Sequence, residues 1–325
     1  VKKILYPYEE WQAIAKKCHM TGIIGAGYAH ALYAKSLSEF GRPLGLPRCG
    51  GWLLERKIPD FPYRDAMGCY PLFSCSDWSK LHEDLENIGD RLVSVALVTD
   101  PFGEYDEGYL KQCFGAVIPF KEHFVIDLGR PPESFVSKSH LSKSKEASLR
   151  VRSEREKDPI QLSSQWCKLY NNLIDRHNIR GIAAFSPKAF DRQLRVPGIE
   201  AFSATHKDEI VGMTLWYVHQ KDGYYHLGAY SEQGYQLQAS FAMFSFAIKY
   251  FADLGLRQLL LGAGAGLKSD GGDGLTRFKK GWSTGIRKAY FCGRIFDPAK
   301  YDEIVKAKGA AGVDYFPAYR KGEFS

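Results

Sequence analysis

Hydrophobic and polar positions alternate along this chain with two periods, and together they predict a mixed α/β protein. Residues 9–18 and 29–40 carry helical spacing, and 52–58 reads as a short strand. The Pro- and aromatic-rich stretch 59–73 reads as an irregular connection, and Ser76 is a fitting N-cap for a helix over 77–87. Residues 91–99 alternate strong β-formers (Val93, Val95, Leu97) and end in the turn residues Asp100-Pro101-Phe102-Gly103. Two further strands are predicted over 113–118 and 123–128.

From 130 to 157 the apolar pattern thins. Eight Lys/Arg stand there against four Glu, and Phe135, Leu141 and Leu149 leave only a narrow stripe, as in a basic helix. Asp158-Pro159 then breaks the helix, because the residue before proline avoids helical backbone. This shift in composition predicts two domains, 1–157 and 158–325.

Past that point the pattern is stronger. Leu162, Trp166, Leu169, Leu173 and Ile174 lie on one helical face, and Ser186-Pro187 opens a second helix. Three strands follow over 198–206, 209–219 and 223–230. The middle one is apolar on both faces and belongs at the centre of a sheet. Leu237, Phe241, Phe244, Ile248 and Phe251 form the buried stripe of a helix closed by Gly255, before strands at 256–261 and 286–295.

Composition narrows the possibilities. The 325 residues carry a net charge of +7, enough to attract an anionic ligand but far from the basicity of a dedicated DNA binder. The seven cysteines are scattered without a CxxC or a Cys/His cluster, which implies reduced thiols, no metal site and a cytoplasmic setting. No apolar run reaches the length of a membrane span.

The order helix, helix, three strands, helix, strand, helix, strand is the layout of the GNAT acyltransferases. Tyr224-Tyr225-His226-Leu227-Gly228-Ala229-Tyr230-Ser231, Lys249-Tyr250, Gly255-Leu256-Arg257 and Arg277-Phe278-Lys279-Lys280-Gly281-Trp282 resemble the FemAB-like branch of that superfamily. The resemblance implies two tandem GNAT-like domains, each a mixed, mainly antiparallel sheet flanked by helices. It also implies transfer of an acyl group to an amine, with acyl-CoA as donor or, in Fem enzymes, aminoacyl-tRNA. One departure stands out: where a (Q/R)xxGx(G/A) pyrophosphate loop is usual, the turn reads Gln233-Gly234-Tyr235-Gln236-Leu237-Gln238-Ala239.

Amine acylation needs a neutral nucleophile, a proton acceptor and donors for the developing oxyanion. His226 is the candidate base, and Tyr230 the candidate to protonate the leaving group. Simple alternation places Tyr224 and Tyr230 on the His226 face and Tyr225 on the other. Ser231, Gln233, Gly234, Tyr235, Arg277 and Lys279 are candidate donor contacts. Tyr224, Glu232, Asp273 and Trp282 are candidates for the acceptor, and the glycine-rich loop 262–274 for a lid over it. Each also has a plainer role open to it: sheet histidine, core tyrosine, helix cap or solvated cation. The expected activity is N-acyl transfer, acetyl-CoA being the leading donor, to an amine of a cell-envelope or polysaccharide precursor. Aminoacyl-tRNA-dependent transfer is the alternative, with 138–157 touching the tRNA. A non-catalytic binding module on a degenerate GNAT fold is the third possibility.

Overall fold

A computed structural model describes residues 25–264 and 273–323. The first half of the chain runs α1 (Ala31–Ser36), β1 (Arg42–Leu46), β2 (Gly51–Lys57), β3 (Arg64–Gly68), α2 (Leu81–Gly89), β4 (Ser94–Val98), α3 (Glu107–Cys113), β5 (Ala116–Asp127), α4 (Lys138–Ser148) and β6 (Arg152–Glu156). The second half runs α5 (Ser163–His177), α6 (Pro187–Gln193), β7 (Ile199–His206), β8 (Glu209–His219), β9 (Asp222–Tyr230), α7 (Glu232–Gln236), α8 (Ala239–Asp253), β10 (Gln258–Gly262), α9 (Gly274–Trp282), β11 (Gly285–Ile295) and α10 (Pro298–Ala307).

These elements form two compact units. One holds 25–121, 180–196 and 288–323, and the other 122–179, 197–264 and 273–287. This division differs from the boundary at 157/158 that composition suggested. The end of β5 pairs with β10 and β6 pairs with β7, so residues 122–157 pack with the later strands.

The first unit orders its strands β1-β2-β3-β4-β11, with β3 and β4 parallel and the other neighbours antiparallel. Its sheet packs against a core that includes Leu53, Leu81, Leu85, Val95, Leu97 and Cys292. A polar knot ties the C-terminal segment to that sheet. The fully buried Asp65 carboxylate accepts from Arg320 at 2.9 Å through both Nε and Nη2, from Arg56 Nε at 3.2 Å and from the Tyr319 hydroxyl at 3.2 Å.

The second unit orders its strands β6-β7-β8-β9-β10-β5, with β9 and β10 parallel and the rest antiparallel. The hairpin from β7 to β8 turns on Lys207 and Asp208, both at positive φ, as a tight two-residue turn requires. The apolar stripe of α8 (Met243, Phe244, Ala247, Ile248, Phe251) buries against Trp216 and Phe202 of the sheet. Each large side chain buried there is worth roughly 1.5–3 kcal/mol.

Three departures from the hydropathy pattern have simple causes. Residues 116–127 form one strand instead of two, because the fixed φ of Pro119 suits extended backbone. Residues 152–156 form β6, not the end of a basic helix. Their backbone pairs with β7, and their alternating charges suit a sheet edge, where Arg155 Nε meets Glu200 at 2.6 Å. Residues 42–46 and 64–68 are short strands whose Gly, Pro and charged residues hide the β period.

Candidate functional site

The site follows from one break in pairing. β9 and β10 are ladder partners only over Asp222–Gln258, Gly223–Leu259 and Tyr224–Leu260. Beyond that point β9 continues to Tyr230 along β8, while β10 bulges between Leu260 and Gly262 along β5. The two parallel strands thus part in the middle of the sheet. Their carboxyl ends leave a gap, the position at which ligands bind in open α/β sheets.

Which side chains stand beside the gap depends on a β-bulge. The β8–β9 register passes from Leu215–Leu227 to Trp216–Tyr225, so His226 is the extra residue. A bulge shifts the alternation of faces by one. His226 and Tyr224 remain on one face, where the His226 ring lies 5.0 Å from that of Tyr217. Tyr230 moves to the other face with Tyr225, over Met243 of α8. The expected His226–Tyr230 pairing is therefore corrected: the two stand on opposite faces of β9. Burial also pushes the His226 imidazole down to about 3, which leaves it neutral and a weak base.

On the α8 face, Tyr225 packs its ring 5.0 Å from both Trp216 and Phe244. Gly228 makes room for it, since a Cβ there would lie 2.1 Å from the Tyr225 hydroxyl. Tyr230 is 7% exposed and its hydroxyl has no hydrogen-bond partner among the described residues. The Tyr225 hydroxyl is near enough to affect its titration but not in hydrogen-bond geometry. Burial, then the neighbouring Tyr225 and Tyr235, keep the Tyr230 phenol protonated.

Lys279 completes this face. It is 6% exposed, donates from Nζ to the Ala263 carbonyl at 2.7 Å, and lies 5.9 Å from the Tyr225 ring. Ala263 directly follows β10, so the buried ammonium stands where β10 leaves the parted strands. Thr276, Lys279 and Trp282 form the buried stripe of α9 at spacing three. Arg277, two residues before Lys279, is exposed on another side, so the two cations do not act together.

The remaining candidates have local roles. Ser231 caps α7, accepting from the Gly234 amide at 3.1 Å and donating to the Val211 carbonyl at 3.2 Å. Gly234 is buried, and a Cβ there would lie 2.1 Å from that same carbonyl oxygen. Gln233 is exposed, and Glu232 pairs with Arg176 at 2.9 Å. The Arg176 guanidinium covers the Tyr235 ring at 4.4 Å. Asp273 caps α9, accepting from the Thr276 amide at 2.9 Å and hydroxyl at 2.5 Å, and these bonds hold its carboxyl below the usual range. Trp282 is 1% exposed within the α8–α9 core, so its place as an acceptor contact is corrected to one of packing. Most of the loop 262–274 expected as a lid lies outside the described residues. Among the described residues, no group of three or more His, Cys, Asp or Glu is placed to hold a metal ion, and no helix is long and apolar enough to cross a membrane.

Lys279 was expected among the donor contacts, and Tyr225 only as lying on the face away from His226. The spacing of Lys279 from Thr276 and Trp282 was the signal that it is buried.

Comparison with known proteins agrees with this architecture. Residues 140–280 match the family model for an acetyltransferase (GNAT) domain, which places the parted strands inside a GNAT acyltransferase fold. Over this segment the chain is similar to GNAT acetyltransferase domains. Its fold is similar to the crystal structure of FemX, at a TM-score of 0.61 and 16% identity over 84% of this chain and 93% of that one. The C-terminal domain of a putative lysylphosphatidylglycerol synthetase from Agrobacterium fabrum is similar at a TM-score of 0.61 and 11% identity, over 89% and 94%. L-PGS from Bacillus licheniformis is similar at 0.54 and 12%, over 83% and 93%. At these identities the likeness is one of fold. No curated protein sequence matches the chain.

Proposed function

We propose that the second unit transfers an acyl group from an activated donor to an amine, with the donor carbonyl lying in the gap between β9 and β10. The observation that carries this reading is the buried Lys279 ammonium at the mouth of that gap, near the Tyr225 ring, on the face of β9 that also holds a buried and protonated Tyr230. The amine nitrogen attacks the carbonyl carbon, and Lys279 stabilises the charge that develops on its oxygen. The bond to the leaving group then breaks. Tyr230 gives its proton to the departing thiolate or alkoxide and regains one from the newly bonded nitrogen. His226, on the opposite face and weakly basic, stays outside these steps.

A thioester of coenzyme A is the first donor of this reading, and an amine of a cell-envelope or polysaccharide precursor its acceptor. One observation favours aminoacyl-tRNA as a second donor. The only glycine of the turn 233–239 is buried against the Val211 carbonyl, so it does not form an open pyrophosphate cradle. The test supplies labelled acetyl-CoA and, separately, aminoacyl-tRNA with amino-sugar and amino-acid acceptors, using Lys279→Met as control. Lysine-dependent labelling of an acceptor supports the reading and identifies the donor. Labelling that persists in Lys279→Met refutes the assigned site.

A further inference from the structure

We infer that His140, on α4, is a positioning residue that acts through α9 to hold Lys279 at the gap; the inference rests on the acyl-transfer reading of that gap. Helix α9 has only nine residues, and the loop before it lies outside the described residues. Its first turn is fixed by the Asp273 cap. Its last turn is fixed from α4.

Three contacts make that second fixture. The Ser137 amide donates to the Gly281 carbonyl at 2.9 Å. The His140 Nε2 atom lies 3.0 Å from the Phe278 carbonyl, and a carbonyl only accepts, so Nε2 carries the proton. Nδ1 is then the acceptor, and the Ser137 hydroxyl donates to it at 2.8 Å while accepting the His140 amide at 3.2 Å. Burial holds the imidazole below its usual range, which keeps this neutral tautomer at neutral pH. Finally, the ring lies directly against Gly281, where a Cβ would be 2.3 Å from its Cε1. The glycine of the Phe278-Lys279-Lys280-Gly281-Trp282 run is there to admit this imidazole.

The anchored carbonyl belongs to the residue before Lys279. The ammonium sits at the end of a long side chain, so rotating α9 by about 10° moves it by roughly 1 Å. Misplacement on that scale lowers a rate by up to about 10²-fold. A histidine that only filled space would be replaced by any ring of similar size.

Three proteins separate these cases: wild type, His140→Phe, which keeps a ring without its hydrogen bonds, and His140→Gln, which restores an N–H near the Nε2 position. Circular dichroism checks folding, mass spectrometry follows acetylation of Lys279 by an amine-reactive reagent, and steady-state kinetics follow transfer. His140→Phe is expected to fold, to label Lys279 several-fold faster, and to lower kcat by about 10–10²-fold with the acceptor KM unchanged. His140→Gln is expected to return both readouts to within about threefold of wild type, the residue of a retained hydrogen bond. Wild-type labelling of Lys279 in His140→Phe overturns the inference, and so does failure of His140→Gln to restore it. If His140→Phe does not fold, Ser137→Ala replaces it, with faster Lys279 labelling expected and unchanged labelling decisive against. If wild type transfers no acyl group, the functional reading fails, while the labelling comparison still decides the role of His140.

Discussion

Gly228→Ala, paired with Tyr225→Phe, tests the packing beside the gap. The new Cβ would lie 2.1 Å from the Tyr225 hydroxyl oxygen, 3.1 Å from its Cζ and 3.3 Å from the Thr214 methyl carbon. Gly228 lies in strand β9 without a positive φ, so backbone entropy alone favours alanine by roughly 0.5–1 kcal/mol. The contact dominates, because Tyr225 must leave its place between Trp216 and Phe244, and such overpacking costs about 1–3 kcal/mol. The single variant is therefore expected to lose about 1–2 kcal/mol. Tyr225→Phe removes the one atom inside 3 Å, and the remaining contacts need shifts of only tenths of an ångström. The double variant should recover most of the loss, a coupling of about 1 kcal/mol or more. Urea unfolding of the four proteins measures this, with the m-value unchanged. A double variant as unstable as the sum of the singles refutes the packing argument.

Three other outcomes follow from the same geometry. Tyr230→Phe removes a buried hydroxyl without a partner, so thermal stability should hold or rise while acyl transfer falls; loss of stability with full activity would reverse the assignment. His226 has a lowered folded-state value, so below about pH 6.5 the unfolded chain binds a proton that the folded chain refuses until about 3. Stability therefore falls as pH drops through that window. His226→Gln should flatten the dependence of the urea midpoint between those limits, and an unchanged slope would show that other groups control it. Asp65→Asn leaves the buried Arg56 and Arg320 short of a counter-charge and should cost about 3–5 kcal/mol; a loss below 1 kcal/mol by chemical denaturation would contradict the view that this knot anchors the C-terminal segment.

Much of the second unit was legible in the sequence because its signals are local. Lys207-Asp208 marks a tight hairpin, and the α8 stripe reads directly as a buried face. The faces of β9 were not legible. Counting by twos put Tyr230 with His226, and the bulge at His226 reverses that, because its position is set by pairing with β8 and not by the residues of β9 alone. Long-range partners were equally hidden. His140 and Gly281 are far apart in the chain, so neither the glycine nor the histidine explains itself until α4 and α9 meet. The charged β6 was misread because composition suits a basic helix and a protected sheet edge alike.

The two units also explain why only one of them carries the candidate chemistry. Strands β1-β2-β3-β4-β11 and β7-β8-β9-β10-β5 follow one plan. In each, antiparallel strands lead through a helix to a parallel neighbour, which then pairs with an antiparallel strand from the other half of the sequence. The plans diverge past the parallel pair. In the first unit β3 and β4 pair at Ala66–Val95 and Met67–Ala96, and the chain after β3 then returns to β4, with a parallel bridge from Phe73 to Thr99. The Phe73 amide donates to the Val98 carbonyl at 2.7 Å and the Asp100 amide to the Phe73 carbonyl at 2.9 Å. The Asp100 side chain accepts from the Ser74 hydroxyl at 2.8 Å and the Phe102 amide at 2.9 Å. Backbone that would face a ligand is thus taken up by the chain itself. In the second unit no such return is made between Tyr224 and Tyr230 among the described residues, and the buried Lys279 lies near the Tyr225 ring. In the proposed transfer, a cation at the end of an open pair of strands would stabilise the charge that develops on a carbonyl under attack.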